Sequence, residues 1–379
     1  MKEAVIVGYA RSPFHFASKG ALAKTRPDDL AAAVVKALVE RSGIDPNDVE
    51  DLLLGCAFPE GEQGLNVAKL IGFIAGLPQT VGGATINRFC GSSMQGIHSA
   101  AGAIAIGAGD VFICAGIESM SRVPMMGFNP MPNPALAEKM PAAYISMGIT
   151  AENVAKKYSI SRQEQDEFAV GSQAKATTAR QAGKLKDEIV PIQAGKDLVN
   201  SDGCIREGTT LQALADLKPA FDQNGVVTAG TSSPLTDGAS ACLVVSADYA
   251  KAHGLRPLAK IRSVSIAGCA PEIMGIGPVA ATQKALKRAG LTINDIDVFE
   301  LNEAFAAQSI ACIRDLNIDI AKVNLDGGAI AIGHPLGATG ARITGKAAAL
   351  LKREGKQFAL STQCIGGGQG IATVLEAML

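Results

Sequence analysis

Tryptophan is absent from this chain, aromatic residues make up only 4% of it, and there are only 4 histidines in 379 residues. Those shortages argue against a ligand cage built from stacked rings. Glycine occupies 42 positions instead, so close backbone packing and glycine-lined loops carry the architecture. Neither sign of charge is in excess: 35 Lys+Arg against 36 Asp+Glu leaves −1. The balance gives no reason to expect nucleic acid or a membrane surface as partner. The 8 cysteines (56, 90, 114, 204, 242, 269, 312 and 364) form no C-x-x-C pair and no Cys/His cluster at zinc spacing. No apolar run approaches the length of a membrane span, and Met1 to Val7 enters a strand with no signal sequence before it. The expectation is a protein without metal or integral membrane segment, its thiols free in a reducing, cytoplasmic setting. Hydrophobic residues at 47% and charged residues at 19% mark a core-rich globular chain, long enough for two or three domain-sized units.

Strand and helix patterns alternate over residues 1–118: a strand at 4–9, an amphipathic helix at 28–42, a strand at 51–55 and a helix at 64–74. A strand-and-helix unit around Cys90 follows, then the apolar strand 111–116. This alternation implies α/β architecture with a largely parallel, helix-covered sheet. Residues 119–234 change character, with prolines and methionines at 125–141 that suit a long excursion, helices at 149–157 and 163–182, and a polar segment at 203–219. This stretch reads as an insertion over the site, after which 237–245 returns as a strand. Residues 251–379 restart the first pattern: Lys36-Ala37-Leu38 is echoed by Lys284-Ala285-Leu286, the strand at 111 by that at 358, and the strand at 238 by that at 370. The domains expected are 1–118 plus 235–250, the insertion 119–234, and 251–379. Two such sheets facing through a shared helix layer would put both sets of strand ends on one side, where sites form in open α/β sheets.

Chemistry-bearing residues gather at that edge. Cys90 lies in Asn87-Arg88-Phe89-Cys90-Gly91-Ser92, between a strand exit and a helix. A cysteine in the first turn of a helix faces unpaired N–H groups that favour the thiolate. Alone, it reads as a buried small hydrophobe. His334, in Gly333-His334-Pro335-Leu336-Gly337, occupies the equivalent place in the second repeat. The repeat would bring the two together, and a cysteine beside a histidine is an activated nucleophile. Asn302 follows the strand at 298–301, and Cys364 precedes Gly366, Gly367 and Gly368, which let a backbone N–H approach a substrate oxygen. Gly275-Ile276-Gly277-Pro278-Val279-Ala280 loosely matches a dinucleotide loop, but Pro278 suits a helix start and no acidic residue is well placed after it.

Taken together, the segments around Cys90, Asn302-Glu303-Ala304-Phe305, Gly333-His334-Pro335 and Cys364-Ile365-Gly366 resemble the thiolase family, in order and over essentially the whole chain. The resemblance implies duplicated βαβαβαββ halves in a five-layer α-β-α-β-α arrangement with an inserted loop domain. It implies that Cys90 is acylated, that His334 activates it, and that Cys364 exchanges protons with substrate. His334 and an Asn302-held water would form one oxyanion hole, and the N–H groups of Cys90 and Gly366 the other. Arg206, Phe221, Ala229, Ser233, Met147, Met274 and Phe305 would contact coenzyme A, a substrate rather than a permanently bound cofactor. Ser146 and Ala213 depart from the short-chain biosynthetic pattern, while 128–134 and 267–278 look like the degradative 3-ketoacyl-CoA thiolases. That subgroup implies thiolytic cleavage in fatty-acid β-oxidation, a homodimer or tetramer, and a possible hydratase/dehydrogenase partner. The competing readings are an acetoacetyl-CoA thiolase working toward condensation, a non-catalytic acyl-CoA-binding scaffold and, most remotely, a nicotinamide-dependent oxidoreductase.

Overall fold

Apolar side chains alternate between two faces along nearly every long strand, so both faces must be covered. The computed structural model describes residues 2–378. Its strands are β1 (Ala4–Arg11), β2 (His15–Phe16), β3 (Asp51–Gly55), β4 (Gly82–Ile86), β5 (Val111–Ser119), β6 (Ile192–Ala194), β7 (Asp197–Val199), β8 (Thr236–Ser246), β9 (Ala259–Gly268), β10 (Val298–Leu301), β11 (Phe358–Ile365) and β12 (Gln369–Glu376). Among the described residues one sheet runs β10-β11-β12-β9-β1-β8-β5-β3-β4, with β2 paired onto β8. Its halves repeat each other. β1 and β5 flank β8 antiparallel, then β3 and β4 continue parallel. Likewise β9 and β11 flank β12 antiparallel and β10 continues parallel, while Val323 bridges to Phe299 at the place that β4 holds in the first half. The two sheets anticipated from the repeat are joined at one edge, where Val5 pairs with Lys260 and Ile6 with Ala259.

Period two sorts the core into layers. Leu52, Leu54, Ile113 and Leu243 face the helix Pro27–Ser42 with its Leu30, Val34 and Leu38. Their neighbours Leu53, Phe112 and Val244 face inward, and so do Val298, Ala359 and Leu375 of the second half. All six meet the helices Ser92–Ile106 and Leu336–Glu354. On the far side Phe299, Leu360 and Val374 meet the helix Gly277–Ala289. Helix, sheet, helix pair, sheet, helix is the five-layer order expected. The central helices touch backbone to backbone. A Cβ added at Gly340 would lie 2.3 Å from the Met94 nitrogen, and one at Gly337 2.7 Å from the Cys56 Cα.

Between β5 and β8 the chain makes the expected excursion. Its helices Met147–Lys157 and Arg162–Gln181 lie within two residues of the anticipated bounds. The β6–β7 hairpin and the short helix Pro134–Lys139 were not anticipated, because three to six residues give too short a window for a period to register. Buried ion pairs tie the excursion to both halves. Arg11 bridges Glu188 (2.8 Å) and Asp202 (2.7 Å), and Lys346 bridges Glu188 (2.8 Å) and Asp326 (2.7 Å). Removing one partner of such a pair strands a charge in low dielectric. Arg11→Met is expected to destabilise the fold by about 3–5 kcal/mol in urea denaturation; an unchanged midpoint would contradict the ion-pair account.

Candidate active site

Cys90 is held by a tight turn after β4. The Asn87 side chain accepts from the Phe89 N–H (2.8 Å), the Ser92 hydroxyl accepts from the Arg88 N–H (2.9 Å), and Phe89 takes a left-handed φ of 42°. The helix starts at Ser92 with Gly91 as its cap, so the thiol sits ahead of the first turn rather than in it. This corrects the thiolate expectation. Burial, then the Glu118 charge, push the half-buried Cys90 thiol up to about 12, against the pull of the Gly366 N–H and its own N–H. At rest the sulfur is protonated and needs a base.

His334 supplies a suitable group. Its Nδ1 lies 2.6 Å from the Thr339 hydroxyl, which itself donates to the Pro335 carbonyl (3.2 Å). That hydroxyl therefore accepts from Nδ1–H, which leaves the Nε2 lone pair free. Burial, helped by Arg342, pulls His334 down to about 3, so the imidazole is neutral and able to accept a proton. The Asn302 amide nitrogen lies 3.4 Å from Nε2, and Asn302 Oδ1 is buried without a partner. An orphaned acceptor of this kind suits a bound water.

The structure brings Cys364 and Gly366 to the same place. Cys364 is buried, its thiol raised by burial and then by the neighbouring Cys90, and the Gly366 N–H is near enough to Cys90 to pull its pKa down. Leu336, two residues past His334, packs with Ala57 and Met120 against Cys90. Cys364 lies in an apolar cluster with Met147, Met274, Phe305, Ala304 and Val227. Phe221, 41% exposed, stands edge-on to Phe305 at 5.9 Å and lies flat on Gly148, where a Cβ would come within 2.1 Å of its ring. Ser233 donates its N–H to the Ala304 carbonyl (2.9 Å), and Ala229 is exposed nearby in sequence. Arg206 is anchored elsewhere, on Gln173 of the insertion helix through its N–H (2.8 Å), with Nε buried and unpartnered. Among the described residues no acidic or Cys/His cluster could hold a metal ion, and no helix is long and apolar enough to cross a membrane. The Gly275 loop is a helix start with Pro278 in its first turn.

Two family models cover the chain: "Thiolase, N-terminal domain" over residues 4–248 and "Thiolase, C-terminal domain" over residues 255–377. The chain belongs to the thiolase family. Among curated thiolases it is similar to the 3-ketoacyl-CoA thiolase of Bacillus subtilis (strain 168), 52% identical over 99% of this chain and 100% of the relative. The 3-ketoacyl-CoA thiolase of Aeromonas hydrophila is 50% identical over the same shares. The crystal structure of human mitochondrial 3-ketoacyl-CoA thiolase in complex with CoA superposes with a TM-score of 0.92 at 38% identity, covering 100% of this chain and 98% of that one.

Within this thiolase fold two side chains that the sequence did not single out stand beside the site. Glu118, buried at the end of β5, accepts from the Ala57 N–H (2.8 Å), the Gln63 amide (2.9 Å) and the Gly337 N–H (2.9 Å). It thereby fixes the loop after β3 to the start of the helix that follows His334. A lone acid ending an otherwise apolar strand was the available signal. Gln363 donates from Nε2 to the Cys90 carbonyl; its place next to Cys364 was the only clue.

Buried neutral histidines make stability depend on pH. Between the folded value of about 3 and the ordinary 6.5, the unfolded chain holds a proton at His334 that the folded chain does not. This contribution to stability is complete above pH 6.5 and is lost as pH falls below it. Replacing His334 by Asn should make the fall of unfolding free energy between pH 6.5 and 4 shallower by about one proton. Parallel pH profiles for the two proteins would contradict a buried neutral imidazole.

Proposed function

We infer that the chain is an acetyl-CoA C-acyltransferase, cleaving 3-ketoacyl-CoA with CoA to acetyl-CoA and a shortened acyl-CoA in fatty-acid β-oxidation. One observation carries this: end-to-end likeness to named 3-ketoacyl-CoA thiolases at about 50% identity. In this reading the Nε2 of neutral His334 takes the Cys90 proton and the thiolate attacks the C3 ketone. The N–H groups of Cys90 and Gly366 hold the resulting oxyanion. The C2–C3 bond then breaks, and its electron pair passes into an acetyl-CoA enolate whose oxygen meets the new His334 N–H and an Asn302-held water. Cys364, a thiol at rest because of its burial, protonates the enolate carbon and leaves acetyl-CoA. As thiolate it then deprotonates CoA, whose sulfur attacks the acyl carbon and expels Cys90.

The apolar run from Cys364 through Met147, Met274 and Phe305 to Phe221 supports a pantetheine path. Arg206, Ser233 and Ala229 belong to the nucleotide end of the same proposal. The division into 1–118 plus 235–250, 119–234 and 251–379 stays with it, as does a reducing, cytoplasmic location. So does a homodimer or tetramer, since the partly exposed edge strand β4 and exposed Leu65, Phe73 and Phe89 offer a face for a second copy.

Brief incubation with a 3-ketoacyl-CoA is expected to leave the acyl group on Cys90, read by peptide mass spectrometry. Cys90→Ser should lower kcat by roughly a thousandfold or more, because a hydroxyl is a far weaker acid than a thiol in the same surroundings and gives up its proton to His334 much less readily. Label on another residue, or undiminished turnover, would remove the mechanism. Comparing kcat/KM for C4 and C8–C16 substrates separates the degradative reading from an acetoacetyl-CoA enzyme.

A further inference from the structure

Cys90 is an unusual junction in the backbone. The helix that follows takes the Gly91 carbonyl as its first acceptor, from the Gln95 N–H at 2.9 Å. The Cys90 carbonyl lies just outside that ladder. Its donor comes from the other half of the molecule, 273 residues away, as the Nε2 of Gln363. Three residues along the same segment, the Gly366 N–H is near enough to the Cys90 thiol to pull its pKa down. Segment and nucleophile therefore form a closed ring: one contact fixes the Cys90 main chain and the other meets its side chain.

Neighbouring contacts brace that ring. The Arg88 guanidinium donates to the Gln95 amide oxygen (3.0 Å) and, across the halves, to Gln369 (2.7 Å). The Ile365 side chain lies so close to Gly91 that a Cβ there would sit 2.6 Å from it. Gln363 is fully buried, and its Oε1 has no hydrogen-bond partner. A buried acceptor left unpaired weakens the fold, and an apolar side chain of the same length would avoid that. The donor end is what an apolar side chain could not replace, since it pairs the Cys90 carbonyl.

We propose that Gln363 is a positioning residue that locks the Cys90 main chain to the segment bearing Gly366, and so sets the oxyanion hole formed by their N–H groups. This rests on the acyl-cysteine reading above. Misplacement of reacting groups by about 1 Å can lower a rate about a hundredfold, so the lock acts on the chemical step. Binding of the nucleotide end is unaffected, because Gln363 and Arg206 share no hydrogen-bond partner: Gln363 bonds the Cys90 carbonyl and Arg206 the Gln173 amide.

The test is Gln363→Met, of similar length but unable to donate. Single-turnover acylation of Cys90 should slow about ten- to a hundredfold, with KM for CoA within about twofold and a lower melting temperature from the unpaired Cys90 carbonyl. A role in packing alone predicts acylation close to wild type in spite of the lower melting temperature. Either that result, or acylation within about twofold of wild type in a folded variant, overturns the proposal. Should Gln363→Met not fold, Gln363→Leu is equally unable to donate, and the same slowing is expected; wild-type acylation there also overturns it. Absence of Cys90 acylation in the wild-type enzyme would instead sink the functional reading itself.

Discussion

Two helices touching at their backbones impose the geometry on which everything else depends. Ser92–Ile106 and Leu336–Glu354 approach so closely that Gly340 admits no side chain against Met94, and the Ser93 hydroxyl accepts from the Ala341 N–H at 2.8 Å. Each helix begins just after a reactive residue, Cys90 in one case and His334 in the other. Packing the helix starts together therefore packs the chemistry together. Glu118 fastens the arrangement, since one carboxylate receives N–H groups from both halves. A buried carboxylate remains in place only where such donors surround it.

Protonation follows from the same burial. The low dielectric that keeps His334 neutral also keeps Cys90 and Cys364 as thiols. In the proposed mechanism the free site thus holds uncharged acids and an uncharged base, and charge separates only as bonds to substrate form. The N–H groups would then meet an oxyanion that was not there to be solvated, the condition under which such donors accelerate a reaction.

Much of this was legible beforehand. Duplication of Lys36-Ala37-Leu38 in Lys284-Ala285-Leu286 gave the architecture, because a repeated helix face requires a repeated sheet to cover. Cys90, Asn302, His334 and Cys364 were readable because each sits where a strand ends and the chain turns, a place that demands particular residues. Glu118 and Gln363 were not, because their partners are backbone N–H and carbonyl groups 61, 219 and 273 residues away, and main-chain groups leave no mark in a sequence. The state of Cys90 was misread for a related reason: burial first, then a distant acid, outweighed the dipole that local pattern suggested, and the thiol stands two residues ahead of the helix.

The buried ion pairs have a consequence for how the molecule is made. Arg11 leaves the ribosome long before Glu188 and Asp202, and Lys346 emerges later still. Until Glu188 and Asp202 appear, the Arg11 charge can be satisfied only by water, so the buried end of β1 is completed only once the excursion has been made. Lys346 then closes the network from the carboxy-terminal half.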